Sequence, residues 1–412
     1  MVEVLFLIVI CILIRMEYKV YNTFLNPFIL ISSVYSLLIL VNNTIAVRLG
    51  FYEIDNSSIM YIMCFLIIIF LVSMFFNKVI YKKNVVVKDE IKQYGDNIVN
   101  KDFEILIVFL IGLIAKCISL IQCIQVYGIN NIKGKEFGIF AHIGSLAIVL
   151  VPYILFLFLK NKNKFYYIII IMVLYINLFL FGGKYTIFIT TMYILIFNGI
   201  MNDISIKKSL KYFGIFGLGG ILSFVGIYAL KPIILLGKYD KGEFLESVGF
   251  SVKHFAMYLL SPLISTNYYF NNRIDMGEGI MIMFTVPINI IKALFRTGKY
   301  INPVITENVP ISNYQDTNVG GIFAESVYES GFLVATIYII VIFCIIYYFY
   351  NSSKYKAKNV ALTAYMLSVV TMLFFGNFFT VSGIFLNFIL LYVVEVILRN
   401  KRFKYMKNPL KR

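Results

Sequence analysis

Apolar runs of roughly 18 to 24 residues, almost free of charge, recur along this chain and decide what it can fold into. A run of that length crosses the ~30 Å hydrocarbon core of a bilayer as a helix. Backbone groups find no partner in lipid, so each run must satisfy its own hydrogen bonds, as an α-helix does. Barrel strands would instead alternate polar and apolar residues over about ten positions. Composition agrees. Charged residues are 14% of the 412, against about 25% in a soluble domain, and mean hydropathy is +0.85.

The expected fold is all-α: a polytopic integral membrane protein with about eleven transmembrane helices and a large outer-face loop. The spans read as Val2 to Ile14, Phe24 to Val47, Ser57 to Phe76, Phe103 to Tyr127, Phe140 to Leu159, Phe165 to Phe181, Tyr185 to Met201, Tyr212 to Leu230, Ile322 to Tyr350, Val360 to Phe375 and Phe378 to Leu398. The first is short for a span. "MVEVLFLIVICILIR" also lacks the basic start and small-residue cleavage site of a signal peptide. The segment from Ile322 is too long for one straight crossing, so its start, carrying Glu325 and Glu329, is expected outside the bilayer core.

Lysine and arginine set the orientation. With the connection after the first span inside, twenty-four basic residues fall in inside loops and four (Arg48, Lys133, Lys135, Lys184) in short outside loops. The C-terminus is then cytoplasmic. The expected organisation is a bundle of about eight helices over 1–230, an extracytoplasmic loop over 231–319, about three helices over 320–398 and a basic tail over 399–412. Within the loop, "HFAMYLLSPLISTNYYF" and "GIMIMFTVPINIIKALF" are apolar enough to lie on the bilayer or dip into it as interfacial or re-entrant helices. A connection this long is usually functional.

The net charge of +16 is mostly positive-inside charge, and no arginine-rich arm interleaved with aromatics suggests a nucleic-acid partner. Five cysteines lie in or beside apolar runs with no CxxC pair, so neither a disulfide framework nor a zinc site is expected. There is no Walker A loop, HExxH or GxSxG, and the acids do not form a DxD. Any chemistry is expected to use no metal and no cofactor, only positioned cations and a base.

Candidates for those roles are few. Ionisable groups in membrane segments are costly and point to function or to a paired partner. Lys116 sits in the fourth span, where pairing or snorkelling also accounts for it. Lys184 follows Gly182 and Gly183 at the outer end of a helix, where helix N-terminal amides and an ammonium both suit phosphate. Arg273 and Arg296, in the long loop, have the fork that grips a pyrophosphate bidentately; lipid headgroups would engage them equally. His254 can act as a base near neutral pH or simply pack among aromatics.

Two stretches carry a family resemblance. "FGGKYTIF" is similar to a glycine-plus-basic turn, and "ESVYESGFLVATIYI" to a Y-x-D/E-F-G helix opening, in the Wzy-type oligosaccharide repeat-unit polymerases. Tyr328, Glu329 and Gly331 match the second; Lys184 replaces a commoner arginine, Ser330 an aromatic and Val334 a glycine. The helix count and large outer loop resemble that family over the whole chain. The resemblance implies a bacterial cytoplasmic-membrane enzyme that joins undecaprenyl-pyrophosphate-linked oligosaccharide repeats into capsule or O-antigen polymer at the outer face. Partners implied are that lipid-linked oligosaccharide, membrane lipid, and the flippase and chain-length regulator of the same pathway. Site residues implied are Lys184, Arg273, Arg296 and Tyr328 for the pyrophosphate and glycan, and His254, Glu325 and Glu329 for acid–base work. An O-antigen ligase shares the large loop, and a lipid-linked oligosaccharide flippase stands as the transporter alternative.

Overall fold

The computed structural model describes residues 1–80, 88–128, 131–132, 135–161, 164–182, 184–202, 214, 241–272, 283–301 and 308–399. The expected span Tyr212–Leu230 lies outside them apart from Gly214. The described residues are 82% helical, and the fold is that of an all-α polytopic membrane protein. Six helices of the described residues are long and apolar enough to cross a membrane: Pro27–Leu49, Asn56–Lys78, Asp102–Tyr127, Gly138–Lys160, Ile322–Lys356 and Ser382–Arg399. Shorter apolar helices include Tyr166–Leu180 and Val360–Val370.

The described chain forms two units, neither continuous in sequence. The first takes residues Met1–Met74, Ile204–Cys344 and Thr371–Thr380. Helix α1 (Val2–Tyr21) runs beyond the expected Ile14. Its Glu17 is fully buried and accepts a 2.5 Å hydrogen bond from Ser73 Oγ, while the Tyr21 hydroxyl donates to the Ser73 carbonyl. Those two contacts hold the last turn, and Asn22 in the left-handed region (φ 50°) ends it. Helix α2 (Pro27–Val41) starts where a helix start is written in the sequence. Proline occupies the first turn, where its missing N–H costs nothing, and Asn26 Oδ1 accepts the Phe28 amide at 2.9 Å. The helix continues through π and 3₁₀ turns to Leu49. Helix α3 (Asn56–Phe75) follows.

The connection between α2 and α3 is pinned, not loose. Buried Asn42 donates to the Tyr52 carbonyl at 3.2 Å and accepts the Ile54 amide at 3.1 Å. A hairpin of β1 (Val309–Ser312) and β2 (Gln315–Thr317) reaches the same connection. Phe51 bridges Ser312, and the Tyr52 amide donates to the Ile311 carbonyl at 2.9 Å.

The second unit takes Phe75–Asp203, Ile345–Val370 and Val381–Arg412. It contains α4 (Lys88–Asn100), α5 (Asp102–Tyr127), α6 (Gly138–Lys160), α7 (Tyr166–Leu180) and α8 (Lys184–Met201). Two ion pairs tie its helices together. Lys116, with 3% of its side chain exposed, meets Glu136 at 2.5 Å. Lys164, between α6 and α7, bonds Asp102, as does the Tyr167 hydroxyl. The Asp102 hydrogen bond holds the Lys164 ammonium above the ordinary lysine range.

The remaining helices are α9 (Lys241–Ile264), α10 (Thr266–Asn271), α11 (Thr285–Phe295), α12 (Ile322–Lys356), α13 (Val360–Val370) and α14 (Ser382–Arg399). In the second unit Glu395 of α14 is fully buried. It accepts the Tyr94 hydroxyl at 2.9 Å and the Ala361 amide at 2.6 Å, with Arg399 at 3.7 Å. One carboxylate so caps α13, anchors α4 and pairs with Arg399 at the end of its own helix. Burial first, and Glu395 second, push the Tyr94 phenol well above its usual value.

Candidate active site at the start of α12

Helix α12 opens with two glycines. A side chain at Gly321 would put its Cβ 2.7 Å from the Phe374 carbonyl oxygen and 2.6 Å from the Tyr35 hydroxyl. Only glycine lets α12 start this close to the 371–380 segment, where the Ile322 amide donates to the Leu373 carbonyl at 2.8 Å. Phe323 then stacks between Tyr35 (5.2 Å) and Phe65 (5.0 Å), fixing the first turn against α2 and α3.

Glu325 follows one turn on. Its Oε1 accepts the Gly320 amide at 3.2 Å and its Oε2 the Asn377 amide at 2.7 Å. Each oxygen thereby accepts one backbone N–H group, and the carboxylate joins two chain segments. Asn377 is held from a second side, because the Tyr338 hydroxyl donates to its Oδ1 at 3.1 Å. Its own Nδ2, buried, has no partner among the described residues.

Glu329 lies four residues further on the same face of α12. It is 7% exposed. No hydrogen bond or ion pair engages it among the described residues, in contrast to Glu325. Tyr328 beside it packs on Tyr269 at 4.8 Å. At Gly331 the backbone leaves the helical region (φ 76°, ψ 167°) and divides α12 in two. No neighbour lies within 4 Å of a Cβ there, so glycine is required by the dihedral and not by space. Both glutamates sit on the short piece before the break, so the dihedral at Gly331 sets their direction relative to the long piece that follows.

The other expected residues distribute unevenly. His254 of α9 is half-buried between Phe250 (5.4 Å) and Tyr258 (4.8 Å). Tyr258 in turn stacks on Phe375, two residues from Asn377. Arg296 caps α11 in the left-handed region (φ 52°) and is exposed; Phe284, at the other end of α11, packs on Tyr338. His254, Arg296, Tyr328, Glu325 and Glu329 thus share the first unit. Lys184 opens α8, as its position after the glycine pair suggested, and belongs to the second unit. Arg273 lies outside the described residues. Lys116 is committed to Glu136. Among the described residues no three His, Cys, Asp or Glu side chains come together.

Asn377, Tyr338 and Tyr35 escaped the sequence reading. The only signal for Asn377 is the Gly-Asn pair that breaks the apolar run between α13 and α14; nothing in the sequence pairs it with Glu325. No protein-family model, curated protein or solved structure matches this chain.

Proposed function

We propose that this chain polymerises undecaprenyl-pyrophosphate-linked oligosaccharide repeats into surface polysaccharide of capsule or O-antigen type, at the outer face of a bacterial cytoplasmic membrane. The observation that carries the reading is the unequal pair of carboxylates at the start of α12: Glu325 tied by two backbone amides and Glu329, one turn on, left uncommitted. A transferase of this kind needs a rigidly mounted base facing a hydroxyl acceptor.

In the proposed step, Glu329 takes the proton from the non-reducing-end hydroxyl of one repeat. That oxygen attacks the anomeric carbon of the growing chain, and the bond to undecaprenyl pyrophosphate breaks with its electron pair leaving on the phosphate. Arg273 and Arg296 are assigned to the departing pyrophosphate; Lys184, in the second unit, is a separate candidate for a phosphate contact. Glu325 positions the helix that carries the base, and Tyr328, buried against Tyr269, holds that turn in place. His254, packed between aromatic rings, is the second candidate for the base.

Deleting the gene and separating the surface polysaccharide by size tests the reading. Loss of the long ladder with single repeats retained is expected. Loss of all surface repeats would favour a flippase instead. An intact ladder that no longer reaches its final acceptor would favour a ligase.

A further inference from the structure

Helix α11 is 11 residues long, about 16 Å at 1.5 Å per residue, too short to cross a ~30 Å core. Its faces differ sharply. Pro287, Ile290, Ile291, Leu294 and Phe295 recur at i, i+3, i+4, i+7 and i+8, the apolar stripe of an amphipathic helix. Among the described residues that stripe is not covered: Leu294 is 74% and Phe295 71% exposed. The other side carries Thr285 and Asn289, then Lys292 and Arg296.

The chain beyond the helix is folded back rigidly. Asn289 Nδ2 donates to the Ile301 carbonyl and its Oδ1 accepts the Ile301 amide, both at 2.8 Å. Lys292 Nζ donates to the Lys299 carbonyl at 2.8 Å. Arg296 (φ 52°) and Gly298 (φ 63°) turn the backbone, and Tyr300 stands 67% exposed beside the helix tip. From Met283 to Ile301 there are three basic residues and no acidic one.

We propose that α11 and its return turn form an anchor that lies in the interface of a membrane bearing anionic headgroups. The apolar stripe enters the acyl boundary, while Arg296 and Lys299 hold lipid phosphates at the tip. Charge complementarity selects this occupant: three cations with no acid suit a phosphate-bearing lipid surface, and the adjacent apolar face suits acyl chains. This inference does not rest on the polymerase reading, and it moves Arg296 from the pyrophosphate to the lipid surface.

The chain contains no tryptophan, so Phe295→Trp supplies a single selective fluorophore, and Leu294→Trp a second at an equally open position. Each full-length variant is reconstituted into phosphatidylcholine vesicles with or without phosphatidylglycerol, carrying brominated acyl chains. In the anionic vesicles both variants should emit to the blue, be quenched by the brominated chains and resist aqueous iodide. Adding Arg296→Gln and Lys299→Gln, or omitting phosphatidylglycerol, should raise iodide access on the order of ten-fold, from ~1 kcal/mol per cation at an anionic surface. Iodide quenching without bromolipid quenching in both variants would overturn the anchor. Bromolipid quenching that ignores lipid charge and both cations would overturn the headgroup assignment.

Discussion

The Asn377 amide donates to Glu325 Oε2 at 2.7 Å across 52 residues of sequence, so the turn before the last helix and the first turn of α12 are mounted on one carboxylate. Removing it leaves two N–H groups without an acceptor. Glu325→Ala is expected to cost about 1–3 kcal/mol of stability for each amide left unsatisfied. Glu325→Gln, which keeps one acceptor oxygen, should recover about half. Thermal unfolding in detergent reads both, and an unchanged midpoint in the alanine variant would refute the mounting role.

Glu329 is expected to behave in the opposite way. Glu329→Gln should fold with an unchanged midpoint and lose the long polymer ladder almost completely, by about 100-fold or more for loss of a base. Glu329→Asp should retain partial activity. A normal ladder in the glutamine variant transfers the role of base to His254.

Gly331 carries a dihedral pair open essentially to glycine alone. Gly331→Ala should therefore cost roughly 1–3 kcal/mol and re-aim both glutamates, lowering activity beyond what the stability loss explains. Gly383, inside α14 with open space at its Cβ, is the control: its alanine variant should be neutral or stabilising by up to about 1 kcal/mol. Equal behaviour of the two substitutions would show that the break in α12 is not needed.

The Lys116–Glu136 pair predicts a strong asymmetry. Glu136→Gln strands an ammonium inside α5 and should cost roughly 2–4 kcal/mol, reduced from a fully buried pair because Glu136 is partly solvated. Replacing both, as Lys116→Met with Glu136→Gln, should restore most of it. If the double variant is no more stable than the single, the pair is not the reason.

Orientation and the cationic role are tested together. A reporter fused after Lys88 or at the C-terminus should read cytoplasmic, and one near Asp275 external; the reverse would sink the assignment. Lys184→Arg should keep substantial polymerase activity and Lys184→Ala lose on the order of 100-fold, as for one preorganised electrostatic donor. Full activity of the alanine variant at normal protein level would leave Lys184 a simple interfacial residue.

What could be read from sequence was whatever is written locally. The apolar runs placed the long helices, with α2 starting at Pro27 three residues after the expected Phe24, and the excess length from Ile322 set its start apart from the rest of a segment that the structure divides at Gly331. Residues 51–52 pair with 311–312, and Arg399 bonds Asn359 at 2.5 Å. What stayed hidden depends on distant partners. Helix α1 outlasts its apolar run because Glu17 accepts a hydrogen bond from Ser73. The second last helix stops at Val370, short of the expected Phe375, as Leu373 turns to accept the Ile322 amide. Asn377 looked like one polar residue in a gap between helices until Glu325 and Tyr338 converged on it.

The bridge from Phe51 to Ser312 also sets a clock. The adjacent contact between Tyr52 and Asn313 spans 261 residues. At a synthesis rate of 5–20 residues per second, its second half leaves the ribosome roughly 13–50 s after its first. Until then the edge at Phe51 stands without its hydrogen-bonding partner, while the helices on either side of it are already complete. Ribosome pausing between these two points would lengthen that interval directly.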